Sequence, residues 1–184
     1  MRFNDHSELT GLHAFLSASQ YHWVNYDPEK ISLRYKTYLA AQKGTELHEH
    51  AKRCIQLGTK LARSKKTLNR YVNDAIGFRM IPEQVLFYSP NCFGTADAIS
   101  FREDLLRIHD LKTGVTPVSM KQLEVYASLF CLEYHIPPVS IDMELRIYKD
   151  DDVMVHIPEH KEILRIMDQI ISFDKIIDEL KVES

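Results

Sequence analysis

Cysteine, glycine and proline are scarce in this chain of 184 residues, which contains three, six and seven of them. Cys54, Cys92 and Cys131 lie far apart and form no CxxC pair, which argues against a zinc knuckle and a four-thiolate iron–sulfur cluster. We expect reduced thiols packed in the core. No segment is rich in glycine, serine or proline and no internal repeat occurs, so the sequence favours one domain over residues 1–184.

Long apolar runs are also missing from the sequence. No run approaches the roughly 20 apolar residues that a membrane-spanning helix needs. Residues 1–8 lack the charged and then apolar pattern of a signal peptide. These absences predict a cytoplasmic protein that does not contact a membrane.

Charge is distributed unevenly along the chain, although the net charge is only −3. Residues 52–70 contain seven basic side chains and no acid, whereas residues 150–184 contain ten acids and four bases. This asymmetry predicts a local basic surface that faces phosphates and an acidic surface away from it. The alternative is that the basic residues only form the solvated face of a helix. The candidate nucleic-acid-binding residues are Lys52, Lys60, Arg63, Lys65, Lys66 and Arg70.

A tight reversal at residues 102–105 separates two predicted strands between Gly94 and Lys112. A turn centred in that reversal brings Asp97 directly opposite Asp110, with their Cβ atoms about 5 Å apart. Two carboxylates at that distance repel each other unless a cation lies between them. Lys112 follows Asp110 by two residues and therefore projects from the same face of the sheet.

Two acids and a lysine that converge are the apparatus of metal-assisted phosphodiester hydrolysis. The alternative is chance, because 27% of the residues are charged and exposed strands carry acids and lysines for solubility. The neighbouring residues favour the functional interpretation. Ile99 and Ile108 are expected to pair on the same face as the acids, and acids buried there without compensation would be costly.

Two further residues are candidates for the same site. His48 lies at the edge of an apolar helical stripe, where a histidine is commonly a core or rim residue, and it is of interest as a third metal ligand. His48-Glu49-His50 is not the HExxH zinc motif. Glu83, early in the first predicted strand, is either an exposed strand residue or a further carboxylate near the metal, acting through water or a second ion.

Gln122 and Tyr126 share one face of a predicted helix because they are four residues apart. Both side chains can donate hydrogen bonds to a phosphate or to an attacking water, and the alternative is a half-buried polar rim. Tyr21, Trp23 and Tyr26 can stack on unpaired bases, with a core role for Trp23 as the alternative.

The order of predicted elements is helices, three consecutive strands, a helix, two strands and a helix. It indicates an α/β fold with a mixed β-sheet flanked by α-helices, in which the helix from Ser119 to Tyr134 is the crossover. The predicted helices cover residues 18–24, 44–62, 66–76 and 119–134, with others opening at Pro28 and Pro158. The predicted strands are Ile81–Ser89, Cys92–Phe101, Leu105–Lys112, Val139–Tyr148 and Val153–Ile157.

Several short motifs occur in one order along the chain. They are Leu16-Ser-Ala-Ser19 with Trp23, Gly44-Thr-Glu-Leu-His48, Glu83, Gly94-Thr-Ala-Asp97, Asp110-Leu-Lys-Thr-Gly114 and Gln122-Leu-Glu-Val-Tyr126. Together they resemble the RecB-type branch of the PD-(D/E)XK nuclease superfamily, including its phage-encoded exonucleases. Some relatives carry a four-cysteine iron–sulfur cluster, which three cysteines cannot build.

The resemblance implies a restriction-endonuclease-like fold and roles for most of the matching residues. His48, Asp97 and Asp110 match the metal ligands, and the backbone carbonyl of Leu111 joins them. Lys112 matches the catalytic lysine. Gln122 and Tyr126 match the motif that positions DNA, and Glu83 belongs to the matching series without a role assigned by the resemblance.

The activity implied is a Mg²⁺- or Mn²⁺-dependent deoxyribonuclease, an exonuclease acting at DNA ends in recombination, repair or phage DNA metabolism. It would work in the cytoplasm of a bacterial or phage-infected cell. Three alternatives remain open: a structure-specific endonuclease, a non-catalytic module that binds DNA or protein, and an accessory subunit docked through its C-terminal helix. The partners expected are DNA, a recombination protein or a second copy of the chain.

Overall fold

The structure is a computed structural model that describes residues 14–114 and 117–183. The chain divides into two compact units, residues 1–45 and 46–184. The helices are a 3-10 helix Ala18–Asn25, α1 Pro28–Leu57, α2 Thr67–Gly77, α3 Lys121–Glu133, a 3-10 turn Pro138–Ser140 and α4 His160–Glu183. The strands are β1 Ile81–Ser89, β2 Cys92–Arg102, β3 Leu105–Leu111, β4 Asp142–Lys149 and β5 Asp152–His156.

In the first unit, aromatic contacts hold the 3-10 helix and the start of α1. The Trp23 indole donates a hydrogen bond of 2.9 Å to the carbonyl of Ser17, and the rings of Phe15 and Tyr35 meet edge to face at 5.1 Å. Trp23 is half-buried, whereas Tyr21 is exposed. The stacking of Tyr21, Trp23 and Tyr26 on bases stays a prediction.

One prediction about α1 is wrong, because the structure has a single helix where the sequence predicted two. The expected second helix from Gly44 to Ala62 is the continuation of α1, which ends at Leu57. An isolated glycine costs a helix about 1 kcal/mol but does not end it, and no proline interrupts this one.

A five-stranded mixed sheet in the order β1-β2-β3-β4-β5 organises the second unit. All neighbouring strands are antiparallel except β3 and β4, which are parallel and are connected through α3. Parallel neighbours need a crossover of this kind, so the predicted α/β class, mixed sheet and crossover helix are confirmed.

The β2–β3 register is the one that the turn predicted. Ile99 pairs with Ile108, and the ladder continues in step to Ala98 and His109. The central turn residues have φ angles of 51° and 57°, the left-handed values of a tight two-residue hairpin turn. The ladder ends at Ala98 and His109, so Asp97 and Asp110 each lie one residue beyond it.

Helices pack on both faces of this sheet. Leu106 and Ile108 pack with Leu123 of α3 on one face. On the other face, Leu111 packs with Ala51 of α1 and with residues of α2. The C-terminal end of β3 therefore lies between α1 and α3, and the candidate residues lie at this end.

Several other element boundaries differ from the prediction by one to three residues. Helix α3 begins at Lys121, whose N–H donates to the Ser119 hydroxyl at 3.2 Å. Strand β4 begins at Asp142 because a 3-10 turn precedes it. Lys112 lies just past β3, but its backbone N–H still donates to the carbonyl of Tyr148 at 2.9 Å. Its side chain therefore starts from an anchored backbone.

Candidate metal centre

Glu83 has an unusual backbone conformation at the centre of the candidate site. The β1–β2 register brings it opposite Asp97, and its φ is 54°. Non-glycine residues rarely adopt left-handed conformations within a strand, and such strain is concentrated at functional sites.

The side-chain alternation of β2 shifts by one residue at Asp97. Ala96 and Ile99 both pack in the core cluster beneath α3, although residues three apart on a regular strand face opposite sides. Ala98 packs in the other cluster, with α1 and α2. The expectation that Asp97 shares the face of Ile99 is therefore not met: the shift turns its carboxylate toward α1.

His48, Glu83 and Asp97 converge on one point. Each offers one ligand atom, and these atoms all lie within 4.8 Å of one another. Nδ1 of His48 lies 3.6 Å from Oδ2 of Asp97. Two carboxylates and an imidazole suit a divalent cation such as Mg²⁺ or Mn²⁺, of which Mn²⁺ accepts nitrogen more readily. The structure thus places Glu83, the weaker candidate from the sequence, directly beside the other two.

Asp110 belongs to the same cleft but has a different partner in the structure. Its side chain is almost fully buried, and its two carboxylate oxygens lie 3.0 and 3.1 Å from Nζ of Lys112. It is not one of the three residues whose ligand atoms cluster. The positive charge of Lys112 therefore offsets the negative charge of Asp110.

A chain of hydrogen bonds continues from Lys112 to α3. Its Nζ donates to Oε1 of Gln122 at 2.9 Å, and Nε2 of Gln122 donates to the hydroxyl of Tyr126 at 3.2 Å. The structure thus connects the predicted pair Gln122 and Tyr126 to the acids through the lysine. Gly94 makes room for the last member, since a Cβ there would lie 2.9 Å from Cε1 of Tyr126.

Burial raises the pKa of both aspartates, and the charge of Asp110 adds to the shift at Asp97. Burial, with the negative charge of Asp110, raises the pKa of Asp97 to about 6, although the Leu111 N–H and His48 oppose the shift. Burial also raises the pKa of Asp110, opposed by Lys112. Two carboxylates whose ionisation is costly, next to an imidazole, form a donor set that a bound cation would stabilise. The residues present therefore fit a divalent metal ion.

A cleft of about 490 Å³ opens over these groups. His48, Asp97 and Asp110 line it together with Lys112 and Gln122. Leu111, whose carbonyl was expected to join the ligands, also lines this cleft, and its N–H donates to Oδ2 of Asp97 at 2.8 Å. The cleft gives a solvent-borne ligand access to the acids.

The basic segment is only partly available for binding. Nζ of Lys52 lies 3.7 Å from Oε2 of Glu49. A guanidinium nitrogen of Arg70 donates a hydrogen bond of 3.3 Å to the carbonyl of Asp151. Asp151 also accepts the N–H of Thr67 at the start of α2. Of the six candidate residues, four are exposed and lie in the loop between α1 and α2: Lys60, Arg63, Lys65 and Lys66.

Sequence reasoning missed Tyr71, a buried residue of α2 close to the acids. Burial raises the pKa of its hydroxyl well above the usual value, and the charges of Asp97, Asp110 and Glu83 add to the effect. Its position among the inward-facing residues of α2 looks like ordinary core packing. No signal in the sequence distinguishes it from such a residue.

No protein-family model, curated protein or solved structure matches this chain. Across residues 14–114 and 117–183, each helix is too short or too polar to cross a bilayer.

Proposed function

We propose that this protein is a divalent-metal-dependent deoxyribonuclease with a restriction-endonuclease-like arrangement of its α/β fold. The observation that carries the proposal is the convergence of His48, Glu83 and Asp97, with Asp110 and Lys112 in the same cleft. Structural ion pairs also bring acids and lysines together, but here two of the acids converge with an imidazole as a set of metal ligands.

Each residue has a defined task in this proposal. His48, Glu83 and Asp97 would hold the ion, and Asp110, which contacts Lys112, would be the further carboxylate ligand. When bound, Mg²⁺ or Mn²⁺ supplies Lewis-acid stabilisation of a phosphoryl group. The ammonium of Lys112 offsets negative charge that develops on the phosphoryl oxygens.

The hydrogen-bonded pair on α3 positions that lysine. Gln122 accepts a hydrogen bond from Nζ, and Tyr126 in turn holds the Gln122 amide. Fixing a flexible side chain in this way lowers the entropy lost when the reacting groups are brought together.

A nucleic acid is the favoured substrate because of the exposed basic loop. Lys60, Arg63, Lys65 and Lys66 precede α2, whose first residue Thr67 is hydrogen-bonded to Asp151 just beyond the C-terminal end of β4. Cations arranged near a phosphodiesterase site suit a polymer with many phosphates better than a small diester.

The test is hydrolysis of linear DNA with Mg²⁺ or Mn²⁺ by the wild type, Asp110→Asn and Lys112→Ala. Asp168→Asn is the matched control, since Asp168 is an exposed acid on α4. We expect cutting by the wild type and the control, and loss in the two site variants with folding retained. Equal cutting by all four proteins would remove the proposal.

Comparing end-labelled linear DNA with covalently closed circles tests whether the enzyme acts at ends. An exonuclease degrades the linear form only, whereas a structure-specific endonuclease also cuts circles that contain the structure. A non-catalytic module would bind DNA and leave both forms intact.

A further inference from the structure

Two exposed phenylalanines form a ring pair on the β1–β2 hairpin. Phe87 and Phe93 are direct partners in the register, and their ring centroids lie 6.2 Å apart with planes inclined by 28°. The side chains are 46% and 61% exposed. Large apolar side chains that gather on a surface mark contact with another molecule more often than single ones do.

This ring pair lies in line with the candidate ligands. Leu86 of β1 packs in the cluster beneath α3, so the alternate residues Val85 and Phe87 face the other side of the sheet. Glu83 departs from this regular alternation, but its carboxylate lies beside His48 of α1 and is therefore on the same side. Four residues along a strand span about 13 Å. A molecule that lies along this row contacts the rings at one end and the ligand cluster at the other.

The chemistry of the row identifies what it would bind. Val85 and its partner Thr95 lie between the rings and the ligands, and both side chains are uncharged. Aromatic rings stack on bases, whose faces are accessible in an unpaired strand but covered in a duplex. A single strand offers bases for the rings and, a short distance along its backbone, a phosphodiester for the ligand cluster.

We propose that Phe87 and Phe93 form an aromatic platform on which bases of an unpaired DNA strand stack while its backbone crosses the ligand cluster. The inference rests on the proposed deoxyribonuclease activity and names its substrate as a single strand or an unpaired end.

The sheet edge at Phe87 is already hydrogen-bonded to a side chain of α3. β1 is an edge strand, and protein partners add to such edges through backbone hydrogen bonds. The backbone N–H of Phe87 already donates to Oε2 of Glu133 at 2.9 Å. Contact at this position is therefore made through the ring faces.

The experiment measures fluorescence anisotropy of a labelled oligothymidylate strand and of a blunt duplex, both in EDTA so that no cleavage occurs. In the double variant Phe87→Leu/Phe93→Leu, apolar area is kept and the aromatic faces are removed. We expect single-strand affinity to fall about 5- to 150-fold for each base that no longer stacks, with duplex affinity unchanged. Phe93→Trp retains the affinity, and Phe173→Leu, an equally exposed site on α4, is the control.

Four outcomes distinguish the aromatic platform from a dimer contact and from the deoxyribonuclease activity. Weaker single-strand binding by the double leucine variant alone, with melting temperature retained, supports the platform. Single-strand affinity equal to that of the wild type overturns it. A dimer seen by light scattering that the leucine substitutions break, with strand affinity unchanged, also overturns it and assigns the rings to a second copy. Ring-dependent binding without any metal-dependent cleavage keeps the platform and removes the deoxyribonuclease.

Discussion

The backbone N–H of Leu111 donates a hydrogen bond of 2.8 Å to Oδ2 of Asp97, which joins β3 to β2 beyond their last ladder pair. This bond holds the carboxylate beside Asp110 although burial and the second acid disfavour its charge. Asparagine can accept the same bond through its amide oxygen. Replacing Asp97 by asparagine therefore removes the charge and keeps the hydrogen bond.

Asp97→Asn is expected to stabilise the metal-free protein at neutral pH. Because the folded pKa of Asp97, about 6, lies above the usual 3.8, the folded state binds the proton more tightly than the unfolded state. In the wild type, the contribution of the Asp97 carboxyl to the free energy of unfolding is present below about pH 4. It is lost as the pH rises through about 6. We expect the variant to exceed the wild type in free energy of unfolding by about 2–3 kcal/mol at pH 7.

Urea unfolding in EDTA at pH 4 and pH 7 measures this difference. The two proteins should differ least at pH 4. If Asp97→Asn is less stable than the wild type at pH 7, burial and the charge of Asp110 do not disfavour the ionised Asp97 carboxylate as assigned.

His109 predicts a pH dependence of the opposite sign. Burial, then Arg146 and Arg107, lower the pKa of this histidine to about 3, so it is neutral in the fold. The contribution of neutral His109 to the free energy of unfolding is fully present above about pH 6.5 and is lost as pH falls toward 3. The loss between pH 6.5 and pH 4 should be about 3 kcal/mol. His109→Phe should keep the edge-to-face contact with Phe78 and remove this dependence. Unfolding curves of both proteins across that range test it, and parallel losses would show that the histidine is not the cause.

Gly94→Ala is expected to disturb the site through Tyr126. The new Cβ would lie 2.9 Å from the ring, so Tyr126 must move and release Gln122. We expect a loss of about 1–3 kcal/mol in stability and about a 100-fold fall in nuclease rate. Gly77→Ala is the matched control because nothing lies near its Cβ, and it should be neutral or stabilising.

A second substitution tests whether Gly94→Ala acts through the clash between its new Cβ and the Tyr126 ring. Adding Tyr126→Leu should restore the stability of Gly94→Ala but not the rate, because the hydroxyl that holds Gln122 is missing. Restoration of both would show that Tyr126 acts only through packing.

Neutralising the exposed basic loop should weaken DNA binding and its dependence on salt. The variant changes Lys60, Arg63, Lys65 and Lys66 to glutamine. For every phosphate that the loop no longer neutralises, the slope of log affinity against log salt should fall by about 0.7–0.9. Titrations at several salt concentrations measure the slope, with Lys175→Gln on α4 as the control. An unchanged slope would mean that the DNA passes elsewhere.

The hairpin and its register could be predicted from the sequence because a two-residue turn fixes which residues face each other. The pairing of Ile99 with Ile108 therefore followed from the position of the turn. The crossover helix followed from the order of elements and the handedness of parallel connections. These are local or topological rules, and the chain obeys them.

The details of the site could not be predicted in the same way. The left-handed conformation of Glu83 and the shifted alternation at Asp97 break the rule of strand periodicity, and only the surrounding packing stabilises them. The approach of Tyr71 depends on how α2 packs on the sheet. The contact between Lys112 and Asp110 depends on burial, which neither residue type reveals.

Calorimetric titration of the metal-free protein with Mn²⁺ measures ion binding at the candidate metal centre independently of catalysis. We expect the wild type and Asp168→Asn to bind Mn²⁺ equally and Asp97→Asn to bind at least about tenfold more weakly. Absence of binding by the wild type, or equal binding by Asp97→Asn, would contradict the assignment of His48, Glu83 and Asp97 as metal ligands.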